Sequence, residues 1–266
     1  MLVFARKSHV GRTSIIPSDE AATLLRMEER LPPVLSIIAG MVDLTGFFML
    51  GNIFTAHVTG NLVVASAVVV RGGPLNPAQL LAIPVFVIAL ALIWLIAELS
   101  KRQGPSLVRL LLAVQFLLLA AVLVFCVSAK PSSNPHGILA VVAALIAVTA
   151  MACQYALLRL AMPKAVSTAV MTGNLTNTVL SIMDALSRGH PLMSADDGRL
   201  KRSLYLLFGF LLGCIIAAMA ISTMGEWAWS LPAALAALVV ARPVMWSDGG
   251  GRRMRNESDA EDGKGG

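Results

Sequence analysis

A short polar motif occurs twice in this chain, within segments that are otherwise apolar. The stretch Thr55-Ala56-His57-Val58-Thr59-Gly60-Asn61-Leu62 returns 113 positions later as Thr168-Ala169-Val170-Met171-Thr172-Gly173-Asn174-Leu175, with six of the eight residues identical. In each Thr-Gly-Asn triplet, the threonine is a natural helix N-cap, the glycine permits close approach, and the asparagine amide can donate and accept hydrogen bonds. An exposed helix amino end of this kind suits an anion or the carboxylate of a zwitterion. The alternative is that both triplets only satisfy helix ends and permit tight packing, and the sequence favours neither hypothesis.

Asp43 is the one ionisable residue in the apolar run 33–54. A charged side chain at the centre of a membrane helix costs at least ~2.5 kcal/mol on insertion scales, so Asp43 needs a partner, a cavity or a proton. This predicts a proton-coupling role, and the alternative is a carboxylate that caps the neighbouring short helix. His57 could join a proton path, since it can titrate near neutral pH. Val170 replaces it in the second copy, and a lone histidine near an interface is more often only a hydrogen-bonding residue.

The second copy offers a neutral group where the first has Asp43. Gln154, followed by Tyr155, holds about the same place relative to its own motif when a gap of two residues is allowed. A site built from both copies would therefore be asymmetric. Gln115, Asn177 and Asp184 are weaker candidates.

The composition of the chain predicts an all-α integral membrane protein. Its 266 residues are 57% hydrophobic and 14% charged, with a mean hydropathy of +0.77, which leaves too little polar surface for a soluble fold. Four runs contain no Asp, Glu, Lys or Arg and reach the length of about 20 residues that a spanning helix needs. They are 77–97, 110–129, 137–158 and 203–225. Two weaker runs, 33–54 and 227–246, bring the predicted number of spans to six.

Two further apolar stretches, 58–70 and 172–183, carry the repeated motif and are too short to span. A helix of 13 residues covers only about 20 Å of a hydrocarbon core about 30 Å thick. We therefore expect two half-helices that enter the membrane and turn back, an irregularity that is tolerated where it lines a cavity or is buried in protein.

The distribution of basic residues favours six spans over eight. With six spans and a cytoplasmic amino terminus, 19 of the 21 Lys and Arg residues lie inside and only Arg71 and Lys130 lie outside. If both short segments cross, 16 lie inside, so eight spans stay an alternative. Three spans in each copy is an odd number, and the second copy must then insert upside down, as in many secondary transporters.

The predicted organisation has four parts. Residues 1–32 form a cytoplasmic segment, in which 18–31 is either a short amphipathic surface helix or a partly ordered leader. Residues 33–130 and 137–246 are the first and second membrane repeats. Residues 247–266 form a disordered cytoplasmic tail, because they are Gly-rich, mixed in charge and without an apolar pattern.

These motifs resemble those of the YoaK family of bacterial membrane proteins, a domain of unknown function. The resemblance rests on Ala39-Gly40-Met41-Val42-Asp43, on 54–61 and on Met171-Thr172-Gly173-Asn174, and it covers about residues 33–245. It implies a bacterial inner-membrane protein and supplies no substrate. One departure is Cys153, which precedes Gln154 where the family often has glycine.

The function predicted from the residues is secondary transport of a small polar or anionic solute. Its site would lie at the repeat interface near the paired motifs, with Asp43 as a proton-coupling group. The alternatives are a passive small-solute channel and a non-transporting membrane scaffold. We expect no enzyme, since the chain lacks His-Glu-x-x-His, Gly-x-Ser-x-Gly and a glycine-rich nucleotide loop, and we expect no cofactor or metal. The expected partners are the lipid bilayer and an unknown small solute, without nucleic acid, and a homo-oligomer stays open.

Overall fold

The computed structural model describes residues 19–73, 75–163, 165–168, 171–187 and 197–241, and these form helices joined by turns and short loops. Residues 1–18 of the predicted segment 1–32, residues 242–246 of the predicted second repeat and the predicted tail 247–266 lie outside the described residues. The α-helices are α1 (Asp19–Met49), α2 (Gly60–Arg71), α3 (Pro77–Ser100), α4 (Gly104–Ala129), α5 (Ile138–Leu160), α6 (Met171–Ser187), α7 (Asp197–Met224) and α8 (Ser230–Ala241). Short 3₁₀ turns occupy Pro131–Ser133 and Gly225–Trp229.

Five apolar helical segments in the described part of the chain are long enough to cross a bilayer. They are Thr23–Met49, Pro77–Ser100, Gly104–Ala129, Ile138–Leu160 and Leu200–Ala241. The last one contains α7, the 3₁₀ turn at Gly225 and α8. The fold prediction of a helical membrane protein is confirmed, whereas the sixth predicted span, 227–246, stays a prediction because α8 ends at Ala241 after 12 residues.

Helix α1 differs from the prediction at both ends. It runs unbroken through Pro32 and Pro33, so the amphipathic segment expected over 18–31 is not a separate surface helix. Met27 and Leu31 are fully buried, and this packing offsets the cost of about 3 kcal/mol or more that proline imposes inside a helix. At the other end α1 stops at Met49 rather than at Phe54. Gly51 and Asn52 adopt positive φ angles of 80° and 59°, and this left-handed backbone cannot continue the helix.

The segment between α1 and α3 leaves one end of α1 and returns to it. Asn76, just before α3, donates from its amide to the carbonyl oxygens of Gly51 at 2.9 Å and Leu50 at 3.3 Å. Between these ends, residues 55–57 reach back to Asp43, which lies six residues before the end of α1. Helix α2 begins at that depth and leads back out over 12 residues, about 18 Å. The chain thus leaves and returns at the same end of α1, which agrees with the predicted half-helix, and its re-entrant position in a membrane stays a prediction.

Helices α1 and α5 are the most buried of the long apolar helices. Helix α1 packs mainly on α7, and α5 packs on α3 and α4. Helix α2 lies on α3, α6 lies on α7, and α8 lies on α4. The two central helices carry Asp43 and Gln154, so the packing buries both candidate groups.

Glycines bring α1 and α7 into backbone contact. A Cβ atom at Gly40 would lie 2.2 Å from the Phe210 carbonyl oxygen, and one at Gly213 would lie 2.2 Å from the Ile37 carbonyl oxygen. The Ser36 hydroxyl donates to the Leu206 carbonyl at 2.6 Å across the same interface. Small residues allow this approach, which is typical of helix pairs in membranes.

Candidate functional site

Asp43 is held by the backbone that follows α1. Its Oδ1 atom accepts hydrogen bonds from the backbone N–H groups of Thr55 at 2.7 Å and Ala56 at 2.6 Å. The same oxygen accepts from the Thr55 hydroxyl at 3.2 Å and from the His57 N–H at 3.4 Å. Only 3% of Asp43 is exposed. Backbone and hydroxyl donors thus replace the water that a buried carboxylate has lost, so the residue is satisfied within the core.

His57 binds the second oxygen of the same carboxylate. Its Nδ1 atom lies 2.5 Å from Asp43 Oδ2, and its ring packs edge-on against Phe210 at 5.1 Å between centroids. The histidine is half-buried, unlike the aspartate. The pair therefore links a buried acid to a side chain that reaches the edge of the core.

Two more residues fix the loop that surrounds Asp43. The Asn61 amide donates to the Phe54 carbonyl and accepts from the Phe54 N–H, both at 2.8 Å. The Tyr155 hydroxyl of α5 donates to the Ala56 carbonyl at 2.7 Å. Because Asn61 and Tyr155 come from different elements, the geometry around Asp43 depends on α2 and α5 as well as on α1.

Gln154 occupies a corresponding place on α5. It lies six residues before the end of its helix, as Asp43 does on α1, and its Nε2 atom donates to the Thr168 hydroxyl at 3.4 Å. Thr168 is the counterpart of Thr55 in the repeated motif. Gln154 also donates to the Leu35 carbonyl at 3.0 Å and accepts from Gln115 at 2.7 Å. The structure thus places Gln154 as a neutral, buried hydrogen-bonding centre next to the first helix.

The two Thr-Gly-Asn triplets use their asparagines alike. Asn174 donates to the Ser167 carbonyl at 3.0 Å, and Asn61 donates to the carbonyl of Phe54, which is also seven residues earlier. The two asparagines are 3% and 0% exposed. Their donor groups therefore serve their own backbone, which supports the packing alternative for the motif.

The prediction that the threonines cap the short helices is wrong. Thr59 precedes α2, but its side chain makes no capping bond and its backbone is already helical. Thr172 lies inside the first turn of α6, which begins at Met171. The N–H groups of Gly60, Asn61 and Leu62 bond to the carbonyls of His57, Val58 and Thr59, because a helical turn precedes α2. The free anion-binding end expected at α2 is therefore absent, and the N–H groups that hold an anion are those of residues 55–57.

An apolar pocket of about 490 Å³ adjoins this pair. Asp43, His57 and Gly60 border it on one side, and aromatic rings form much of the remaining wall. The lining phenylalanines are Phe47, Phe48, Phe54 and Phe210. No residue of the second triplet lines it. The pocket is open to the outside, and a small apolar group that lies against its rings would be near the carboxylate and the imidazole.

The sequence did not predict the aromatic wall of the pocket, the hydrogen bonds from Thr55 to Asp43 or the glycine contact between α1 and α7. The contact had a sequence signal, since Gly209 and Gly213 are four residues apart in an apolar run and form a small-xxx-small pattern. The aromatic wall had none, because its four phenylalanines come from three separate segments. Among the described residues, no group of three His, Cys, Asp or Glu side chains could hold a metal ion.

The long apolar helices and the buried ionisable pair define a multi-pass, all-helical membrane protein. A family model described as a protein of unknown function, DUF1275, matches residues 32–242. The chain belongs to this family, which confirms the resemblance to YoaK-type proteins. No curated protein and no solved structure matches the chain.

Proposed function

We propose that this protein is a secondary transporter that carries a small organic anion together with a proton. The observation that carries the proposal is that the Asp43 carboxylate accepts hydrogen bonds from the N–H groups of residues 55–57 beside an open pocket. The chain's own anion sits where a substrate anion would bind. The proposal involves transport and no catalysed reaction.

Competition between the two anions would couple the proton to the solute. Hydrogen bonds to a charged carboxylate are roughly twice as strong as those between neutral groups, so protonation of Asp43 weakens its hold on the Thr55 and Ala56 N–H groups. An anionic solute can then take those donors. Binding of either the proton or the anion favours binding of the other, which is the reciprocal linkage that symport needs. His57 is the route by which the proton reaches Asp43.

The pocket narrows the class of solute. Its wall is largely made of phenylalanine rings, which a strongly hydrated ion such as sulfate cannot use. A carboxylate or sulfonate with an apolar body would place its charge at residues 55–57 and its body among the rings. This refines the predicted polar or anionic solute to an organic anion.

The pattern of helix contacts supports an internal repeat. In an internal repeat, α1, α2, α3 and α4 correspond to α5, α6, α7 and α8 in that order. The contact of α1 with α7 then has its counterpart in the contact of α5 with α3. The contact of α2 with α3 has its counterpart in that of α6 with α7. The contact of α4 with α5 likewise corresponds to that of α8 with α1. With an odd number of crossings per copy, such a pair of repeats is inverted, and alternating access follows from rocking one repeat against the other.

The charges support the predicted orientation with both termini in the cytoplasm, whereas the plasma membrane of a bacterium is what the family resemblance implies. Among the described residues, basic side chains cluster at the end where α1, α4 and α7 begin: Arg26, Arg30, Lys101, Arg102, Arg109, Arg159, Lys201 and Arg202. Arg71 and Lys130 belong to the opposite end. By the positive-inside rule the cluster lies in the cytoplasm.

Transport can be tested in proteoliposomes loaded with a pH-sensitive dye. Benzenesulfonate is a suitable probe because it stays ionised and does not leak across lipid as a neutral acid. We expect an inward benzenesulfonate gradient to acidify the lumen. Asp43→Asn should abolish this acidification and keep exchange of labelled benzenesulfonate, since the neutral amide, like a protonated carboxyl, holds the N–H groups of residues 55–57 weakly and yields them to the sulfonate, but cannot titrate.

Asp184→Asn is the matched control, because it removes an exposed carboxylate from α6 and should transport as the wild type does. Acidification at the wild-type rate in Asp43→Asn would show that Asp43 is not the coupling group. Exchange of benzenesulfonate without acidification in the wild type would favour the passive channel. A wild-type protein that neither moves protons nor exchanges benzenesulfonate would contradict the proposed symport.

A further inference from the structure

A second pocket, of about 600 Å³, lies at the basic end of the molecule. It is formed where α3 ends, α4 begins and α5 ends, with Leu24 from the start of α1. It is distant in the fold from Asp43, which belongs to the other end of α1. The pocket takes no part in the transport proposal and can be judged independently of it.

The lining of this pocket is divided by polarity. Lys101, Arg102 and Gln103 form the rim, whereas Trp94, Leu107 and Leu160 belong to its apolar wall. Neither Lys101 nor Arg102 is in an ion pair with a described side chain. Glu98 is the one acidic residue of the lining, so the two cations leave the pocket with a net positive charge.

We infer that this pocket binds the headgroup of an anionic phospholipid such as phosphatidylglycerol. Lys101 and Arg102 would hold the phosphate, and Glu98 and Gln103 could bond the headgroup hydroxyls. The apolar wall continues from the rim onto helices that cross the bilayer, as the acyl chains continue from a lipid phosphate. Trp94, 55% exposed, lies about two turns before the rim on α3, and indole rings are enriched at membrane interfaces. A free phosphate ion would use only the rim, whereas a phospholipid uses both parts of the pocket.

Lipid titration of the purified full chain in neutral detergent tests this inference. Native mass spectrometry would follow binding of phosphatidylglycerol to the wild type and to a Lys101→Gln/Arg102→Gln variant. We expect about tenfold or more weaker binding in the variant, because each basic residue near the membrane surface contributes to the attraction. The control is Arg109→Gln/Lys201→Gln, which removes two exposed basic residues from the same end outside the pocket and should change binding little.

Equal losses in both variants would overturn the inference in favour of diffuse charge attraction. Displacement of the lipid by millimolar inorganic phosphate would also overturn it and indicate a soluble anion site. Binding of phosphatidylethanolamine as tight as that of phosphatidylglycerol would overturn the preference for an anionic headgroup.

A second measurement leaves the basic pair intact, in case the double variant fails to fold. Phospholipids brominated on their acyl chains quench nearby tryptophans, and the difference between wild type and Trp94→Phe isolates the Trp94 signal. Stronger quenching by brominated phosphatidylglycerol than by brominated phosphatidylcholine at equal mole fraction would support the site. Equal quenching by the two lipids would overturn it.

Discussion

At the scale of single residues, Asp43 shows how a membrane core can hold a charged group. A buried carboxylate without partners would cost several kcal/mol, yet Asp43 finds two close N–H donors, a hydroxyl and an imidazole within one turn of chain. In the proposed symport, the same donors would release Asp43 when it gains a proton, because hydrogen bonds to a neutral carboxyl are weaker than those to a carboxylate. A variant that tests this proposal must keep the shape of the side chain and remove its ionisable group.

Asn61 is predicted to be a structural residue rather than a ligand for solute. Asn61→Ala leaves the backbone N–H and carbonyl of Phe54 without their amide partner in a buried loop, and we expect it to lower the free energy of unfolding by about 1–3 kcal/mol. Thr59→Ala in the same motif should change it by less than about 0.5 kcal/mol, because Thr59 is exposed and caps nothing. Thermal unfolding in detergent measures both. A neutral Asn61→Ala, or an equal loss in Thr59→Ala, would count against this assignment.

Asp43, His57 and Gln154 could be found from the sequence, whereas their partners could not. Polar groups are rare in apolar runs, so each of the three was visible from its own context. Their partners depend on where the chain reverses. Thr55 meets Asp43 because Gly51 and Asn52 turn the backbone into the core, and a reversal set by two left-handed residues leaves no periodic pattern in the sequence.

At the scale of helices, the contact between α1 and α7 positions the site. Phe210 of α7 lies against His57, and Cys214 lines the same pocket one turn further along. Both residues are placed by the glycines that let the two backbones touch. A change in the spacing of this helix pair therefore alters the pocket as well as the stability.

Gly213→Ala is predicted to push α1 and α7 apart. The added Cβ would lie 2.2 Å from the Ile37 carbonyl oxygen, and because that atom belongs to the backbone, the helices must separate by about 1 Å to restore normal contact. We expect a loss of about 1–3 kcal/mol in stability, typical of overpacking. Gly198→Ala is the control on the same helix, since its Cβ would meet nothing within 4 Å. Thermal unfolding compares the two variants, and similar melting temperatures would show that the interface adapts.

The short helices were predictable and their ends were not. The limited length of 58–70 and 172–183 predicted half-helices, and α2 and α6 lie over these segments. The Thr-Gly-Asn triplet predicted the wrong start for α2, because a helical turn precedes the helix at the position where Thr59 was expected to cap it. The start of α1 was also predicted wrongly, since the helix continues through Pro32 and Pro33, where tertiary packing outweighs local propensity.

At the scale of the whole molecule, the direction of each long helix follows from which ends meet. The start of α1 shares a pocket with the end of α3, the start of α4 and the end of α5. At the same end, Nη2 of Arg202 near the start of α7 lies 3.4 Å from Oε1 of Glu29 on α1. At the opposite end, Ser132 binds Glu226 just beyond α7. The helices α1, α3, α4, α5 and α7 therefore alternate in direction, and α2 and α6 fall between antiparallel neighbours. This alternation agrees with the predicted six spans and two re-entrant segments, which stay predictions.

This alternation predicts where reporter fusions will lie. A phosphatase that is active only outside the cytoplasm should be active when fused after Asn76 or Asn134, which belong to the end that carries Arg71 and Lys130. It should be inactive after Gln103 or Gly198, and after Ser258 in the tail, while a reporter that works only in the cytoplasm should give the reverse pattern. Two independent features of the molecule lead to this pattern. The charge distribution orients the molecule, and the bonds from Asn76 to Leu50 and Gly51 require that α2 does not cross. If the fusion after Asn76 reads cytoplasmic while the others agree, α2 crosses in the bilayer and the re-entrant hairpin is lost. If every fusion is reversed, the hairpin stands and only the orientation is wrong.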